Sequence, residues 1–404
     1  MKIKHIIIAL LILLFSQNSV NARVILDKKI FYAELDGQVD LKFGYAFNQD
    51  SFKANPKDKT SSYSNLHLLY LQRVYPNTQM GFNVKVEVSG IANLKALDIK
   101  KLNPEERYFI IKNQGLGSIE YGKRSLVSQS MLNTSKIYAG GGGVNGDWAN
   151  YANLRGGDNG PIDCTVDNPP KKCAGGGYDK DNAFWVKPNI YSDYNGLKLE
   201  LKQSAISYIS PEIYNFQLGF SYVPGKNSLE YSNLIAGGLS YHNSLSDDIK
   251  FTTALTGEFA RQNFTDKDNE ILESNETARK RRNQLAHWNF GLNVKFFNLN
   301  CIFSYGNGGK SGSPFLKVDN TYYINAGIAY NTDGRKLSLT YFNSGRDITK
   351  GTKELTSHAV SLEYPFALGT SYYLDLVKFN TKEPTIINNN SGYVFLAGLK
   401  FNFQ

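Results

Sequence analysis

The stretch Phe31-Tyr32-Ala33-Glu34-Leu35-Asp36-Gly37-Gln38-Val39-Asp40-Leu41-Lys42-Phe43-Gly44-Tyr45 alternates residue by residue. Phe31, Ala33, Leu35, Gly37, Val39, Leu41, Phe43 and Tyr45 fall on one face, and Tyr32, Glu34, Asp36, Gln38, Asp40 and Lys42 on the other. A period of two marks an extended strand with one apolar and one polar face. Here the polar face is charged almost throughout, more than a strand against a packed core tolerates on either side. Lipid on one face and water on the other accommodates it, and that is the strand pattern of a membrane β-barrel.

The same alternation recurs to the end of the chain. It predicts strands near 30–46, 62–75, 79–92, 105–113, 117–124, 197–209, 213–223, 233–244, 249–262, 283–296, 298–306, 321–330, 335–344, 355–364, 368–380 and 391–403. The breaks also alternate. Pro76-Asn77-Thr78, Gln114-Gly115-Leu116, Ser210-Pro211-Glu212 and Asn331-Thr332-Asp333-Gly334 are short, whereas Asn93 to Pro104, Asn263 to Arg282 and Gly345 to Glu354 are longer. Short turns at one end and long loops at the other are the barrel rhythm. An all-β transmembrane antiparallel barrel of about sixteen strands is therefore expected. It must be closed, because open edges in hydrocarbon leave backbone groups unpaired.

Composition agrees. The 404 residues include 26 Tyr, 24 Phe and 36 Gly but only 12 Pro and three Cys, which suits interfacial aromatic girdles and glycine-containing turns. A mean hydropathy of −0.36 is no obstacle, since half of each strand faces water. Lys2 and Lys4 precede the apolar run Ile6 to Phe15, which leads to Val20-Asn21-Ala22. This is the layout of a secretory signal peptide over 1–22, leaving 23–404 as one barrel domain. The formal charge of +9 is spread along the chain without a basic cluster interleaved with aromatics, so nucleic acid is not an expected partner.

One stretch breaks the rhythm. Leu126 to Gly196 contains the run Gly140-Gly141-Gly142-Gly143, Cys164, Cys173 and scattered aspartates, and is too long for an idle connection. The strands that flank it carry a resemblance. Gly115-Leu116-Gly117-Ser118-Ile119-Glu120-Tyr121-Gly122-Lys123-Arg124 is similar to the fifth strand of the Gram-negative general (trimeric) porins. Gln203-Ser204-Ala205-Ile206-Ser207-Tyr208-Ile209-Ser210-Pro211-Glu212 resembles their sixth strand and turn. The last strand, with Tyr393, Phe395, Ala397, Leu399, Phe401 and Phe403 on one face, fits as well, apart from the extra Gln404.

The resemblance implies an outer-membrane porin, surrounded by outer-membrane lipid and assembled as a homotrimer. It would conduct small hydrophilic solutes and ions by passive diffusion. The stretch 126–196 would be the third loop, folded inward to narrow the pore, with acidic residues facing a basic wall. The candidates for that wall are Lys42, Lys85, Lys123, Arg124 and Lys202, opposed by Asp147 and Asp158. Lys123 stands where the family has its arginine, yet strict alternation puts Arg124 on the face of Glu120. A bulge at Gly122 would reconcile the two, so both are kept. Cys164 and Cys173, nine residues apart in an exported chain, would suit a local disulfide.

Enzyme signatures are missing. His67, His242, His287 and His358 are scattered, no zinc spacing occurs, and Gly309-Lys310-Ser311 lacks the glycine that a phosphate loop needs at Ser304. No catalytic residue or cofactor is expected. The competing reading is a barrel whose long loops serve as a surface adhesin or structural component.

Overall fold

The alternation that starts at Phe31 becomes a closed barrel wall in the computed structural model, which describes residues 24–27, 31–48, 59–89, 104–132, 148, 204–226, 231–262, 283–311, 320–348, 351–367, 369–382 and 390–403. The strands are β1 (Val24–Asp27), β2 (Phe31–Asn48), β3 (Lys59–Tyr75), β4 (Thr78–Ser89), β5 (Pro104–Asn113), β6 (Gly117–Lys123), β7 (Ser204–Ile209), β8 (Phe216–Lys226) and β9 (Tyr231–Ser244). They continue with β10 (Ile249–Gln262), β11 (Leu285–Phe296), β12 (Leu299–Gly309), β13 (Thr321–Thr332), β14 (Arg335–Ile348), β15 (Gly351–Ala367), β16 (Thr370–Lys382) and β17 (Asn390–Phe403). A single turn of helix, α1 (Val127–Ser130), follows β6.

From β2 to β17 each strand pairs antiparallel with the next, and β17 returns to β2, with Gly392 opposite Asn48 and Phe403 opposite Gly37. Sixteen strands thus make the ring. β17 stops at Gly37 and leaves the start of that edge of β2 uncovered. β1 occupies it, pairing Val24 with Leu35 and Asp27 with Tyr32, so β17 and β1 together form one composite strand. Four residues are too few to display a period, and sequence reasoning missed β1.

The expected strands match those observed to within a few residues wherever both are described. One loop is corrected. Gly345 to Glu354 is not a long connection: β14 runs to Ile348 and β15 begins at Gly351, with Asp347 opposite Thr352 and Thr352 Oγ1 donating to Asp347 Oδ1 at 2.8 Å. Polar residues there suggested a loop, but strands projecting beyond the lipid can be polar on both faces.

At the short-turn end the connections hold two to six residues. Outward positions are large, apolar and exposed around the whole circumference, including Leu41, Phe43, Leu66, Phe82, Leu218, Phe290, Leu339 and Leu376. A continuous uncovered apolar surface of this kind is the lipid contact of a barrel. Aromatic pairs gather at the short-turn end, among them Tyr70–Phe82 at 5.4 Å, Phe216–Tyr241 at 4.7 Å and Tyr364–Tyr372 at 5.4 Å. Tyr45–Phe47 and Trp288–Tyr305 lie towards the other end, as expected of interfacial girdles. Cys301 is a free thiol exposed on the outward face beside Phe303.

Candidate functional site

The inner wall divides into sectors that share the strand period and differ in chemistry. In the first, β2 to β5 present one row of directly opposed residues: Asp36 to His67, His67 to Lys85, and Lys85 to Glu106. His67 Nδ1 lies 2.9 Å from Asp36 Oδ2, and Asn83 Nδ2 lies 2.6 Å from His67 Nε2. Both ring nitrogens are thereby engaged, which fixes the imidazole against the wall. Beside this row, Glu106 accepts from Ser125 Oγ at 2.6 Å and Ser125 N at 3.3 Å, tying the start of the long loop to β5. A cavity of about 440 Å³ opens between Asp36, Gly37, Gln38, His67, Asn83, Lys85, Glu106 and Tyr108.

The second sector is a seat for the loop. Where the loop root lands, the inward residues of β8 and β9 are small: Gly219 faces Gly238, and Ser221 faces Ala236. The loop root settles there. Val127 N donates to Ser221 Oγ at 3.0 Å, and Ser128 Oγ donates to Glu258 on β10. A β-carbon at Gly219 would collide with Val127 and stand 2.9 Å from Met131 Cε, and one at Gly238 would stand 2.7 Å from Met131 Sδ. A larger residue at either position would force Val127 or Met131 to shift.

The third sector, on β13 to β17, is dry. Tyr323, Phe342, Leu355, Val377, Phe379, Val394 and Leu396 point inward and are completely buried or nearly so, in a contact network that also contains Trp148. The indole stacks on Phe379 with ring centroids 5.3 Å apart and planes 24° apart. Their burial sets this sector apart from the polar row on β2 to β5. The ring places β8–β10 and β16 on facing walls, and the two described parts of the long loop are therefore anchored across the bore from each other. Below this dry patch a polar group persists, in which Tyr373 donates to Asp40 Oδ1 at 2.9 Å and Lys400 Nζ to Glu363 Oε2 at 3.2 Å.

The residues singled out from the sequence are distributed as follows. Lys42 points inward, 3.9 Å from Asp40 Oδ2, and Lys85 lines the cavity. Pairing through β6 stays one-to-one, with Arg107 opposite Lys123 and Tyr108 opposite Gly122, although Gly122 adopts φ 140°. No bulge resets the alternation. Arg124 is consequently the inward cation, ion-paired with Glu120 and 5.3 Å over the Tyr108 ring. Lys123 shares the outward side of Tyr121, which corrects its proposed place on the inner wall. Lys202, Asp147, Asp158, Cys164 and Cys173 lie outside the described residues.

Sequence reasoning did not find the Gly219–Gly238 seat, the Ser128–Glu258 contact or the Trp148–Phe379 stack. The run of small inward residues on β8 and β9 was a usable signal for the seat.

Comparison with known proteins agrees with this architecture. Uncharacterized proteins of Rickettsia bellii and Rickettsia conorii are 26% identical over 284 residues and 25% identical over 344. The alignments take in 56% and 71% of this chain and 63% and 74% of those proteins. The chain spans under two thirds of the length of several of the curated relatives it matches.

Among solved structures, OmpF of Salmonella typhi, in complex with daunomycin, superposes with a TM-score of 0.60 at 10% identity, covering 94% of this chain and all of that one. The anion-selective porin from Comamonas acidovorans gives 0.54 at 14%, with 92% and 100% covered. The trimer form of Vibrio cholerae OmpT gives 0.55 at 12%, with 92% and 99% covered. These likenesses concern the barrel. The sequence pattern of the Gram-negative porins matches residues 9–384, and the chain belongs to that family of outer-membrane β-barrels.

Proposed function

We propose that the protein forms a water-filled channel for the passive diffusion of small hydrophilic solutes and ions, narrowed by the loop between β6 and β7. The observation that carries this reading is the anchoring of that loop on two facing inner walls, α1 on β8–β10 and Trp148 on β16. A loop held at these two points would narrow the bore. The remaining wet path runs along β2–β5, past Asp36, His67, Lys85 and Glu106. Fixed charges beside a narrow aqueous path bias which ions pass. Two carboxylates, one ammonium and a histidine leave no strong anion bias there, despite the +9 of the whole chain. We further propose a homotrimer, a reading supported by the family and by the trimer form of OmpT.

The test is ion conductance of the purified protein in planar bilayers. Discrete steps are expected, and a protein that inserts but never conducts would leave the surface adhesin as the better reading. Reversal potentials in a salt gradient then locate the wall. Lys85→Glu should shift selectivity towards cations, while Lys123→Glu, on the outward face, should not.

A further inference from the structure

We propose that the outward face of β5–β7 holds the phosphate headgroup of an anionic lipid, in the leaflet at the loop end of the barrel. The inference rests on the lipid contact of the wall and is independent of the channel reading. Arg107 and Lys123 are directly opposed across β5 and β6, and Lys123 is directly opposed to Ser204 across β6 and β7. All three turn outward with Phe109, Tyr121 and Ile206, away from the buried Ile110, Glu120 and Ala205. In the other direction the same row runs through Val84 and Leu68. A donor-bearing segment three strands wide thus interrupts an apolar surface.

The pair of cations is the feature that asks for a ligand. A lone cation at a membrane interface snorkels to water and needs no partner. Like charges directly opposed across a sheet, with β-carbons about 5 Å apart, repel each other. Among the described residues no side-chain hydrogen bond or ion pair engages Arg107, Lys123 or Ser204. An anion set between the two cations turns that repulsion into two attractions.

Height and chemistry name the anion. Lys123 stands as far from the start of β6 as Tyr305 does from that of β12 and Tyr341 from that of β14. The pair therefore lies at the level of the loop-end aromatic girdle, where lipid headgroups sit. Phe109, Tyr121 and Ile206 are exposed on the short-turn side of it and offer acyl chains an apolar track. Phosphate oxygens accept and do not donate, which matches a guanidinium fork, an ammonium and a hydroxyl in one row. A phosphomonoester approaches a double negative charge at neutral pH and meets both cations. A choline headgroup adds a quaternary ammonium that the same cations repel.

The test is native mass spectrometry of the full chain released from detergent micelles. It is titrated separately with dioleoyl phosphatidic acid, dioleoyl phosphatidylcholine and inorganic phosphate. Phosphatidic acid should bind at least about tenfold more tightly than phosphatidylcholine, and inorganic phosphate at the same concentrations should leave no adduct. Arg107→Gln and Lys123→Gln should each weaken phosphatidic acid by about fivefold or more, and together should remove the preference over phosphatidylcholine. The single variants serve if the double variant fails to insert. Lys123→Arg should retain the preference. Arg335→Gln, which removes a cation over the Tyr364 ring at the short-turn end, should match the wild type. Equal affinity for the two lipids, phosphate adducts as strong as those of the lipid, or an undiminished preference in both single variants would each overturn the proposal. So would variants that keep the lipid preference but dissociate from oligomer to monomer, which would assign the pair to a second copy of the chain.

Discussion

The inner walls of β2–β5 and β13–β17 obey the same period of two, yet one borders a polar cavity and the other is sealed. Asp36, His67, Lys85 and Glu106 keep partial access, whereas Tyr323, Phe342, Phe379 and Leu396 are buried as deeply as any core residue. Alternation decides which side of a strand points inward. What that side meets is not set by alternation, and the described root of the long loop packs against glycines on β8 and β9 that belong to neither sector.

The comparison can be broken most forcefully from its dry side. Phe379→Ala removes the ring beneath Trp148 and should cost about 3–5 kcal/mol, as for a buried aromatic. Thermal unfolding in detergent should register the loss, and single-channel records should become noisier as the loop loosens; unaltered stability and noise would mean that the stack holds nothing. Gly219→Leu attacks the opposite anchor. Overpacking against Val127 and Met131 should cost about 1–3 kcal/mol and raise unit conductance by displacing α1. An unchanged conductance would show that the root of the loop does not set the bore.

The wet side should respond more mildly and through different measurements. Asp36→Asn weakens the bond to His67, a loss of about 1 kcal/mol, and should be seen as increased motion of the His67 ring by NMR rather than as lower barrel stability. Lys85→Glu should move the reversal potential towards cations. Equal shifts from Lys85→Glu and Lys400→Glu would erase the distinction between the two walls, since Lys85 borders the cavity whereas Lys400 covers the Tyr373 ring beside Glu363.

These contrasts mark how much could be read in advance. The sixteen ring strands were legible because lipid enforces large apolar residues at every second position, from Leu41 and Phe43 through to Phe395 and Leu399. The inward partners carry less information. Serine, glycine and alanine suit both a wet wall and a seat for packed chain, so Gly219, Ser221, Ala236 and Gly238 looked like ordinary lumen residues until α1 was found on them. Alternation put Arg124 on the face of Glu120 and Lys123 on that of Tyr121, although both were kept as candidates, and β5 pairs with β6 in an unbroken register. The family resemblance favoured Lys123 because it aligns positions along the chain and does not track which way a side chain turns.

The four residues of β1 have a consequence for assembly. They complete the edge of β2 that β17 leaves uncovered, so the first and last described segments of the chain meet on one strand. The pairing of β17 with β2 that brings them together joins Gly37 to Phe403, the most distant pairing in the described wall. The entropy of closing so long a loop grows only logarithmically, at about 0.6 kcal/mol per doubling of length, so the junction is affordable at equilibrium. Its burden is on timing, because contacts between remote segments form late. Until β17 arrives, β2 presents most of one hydrogen-bonding edge bare to any other strand in reach. The seam therefore sets the interval during which a half-built wall must be kept away from other strands.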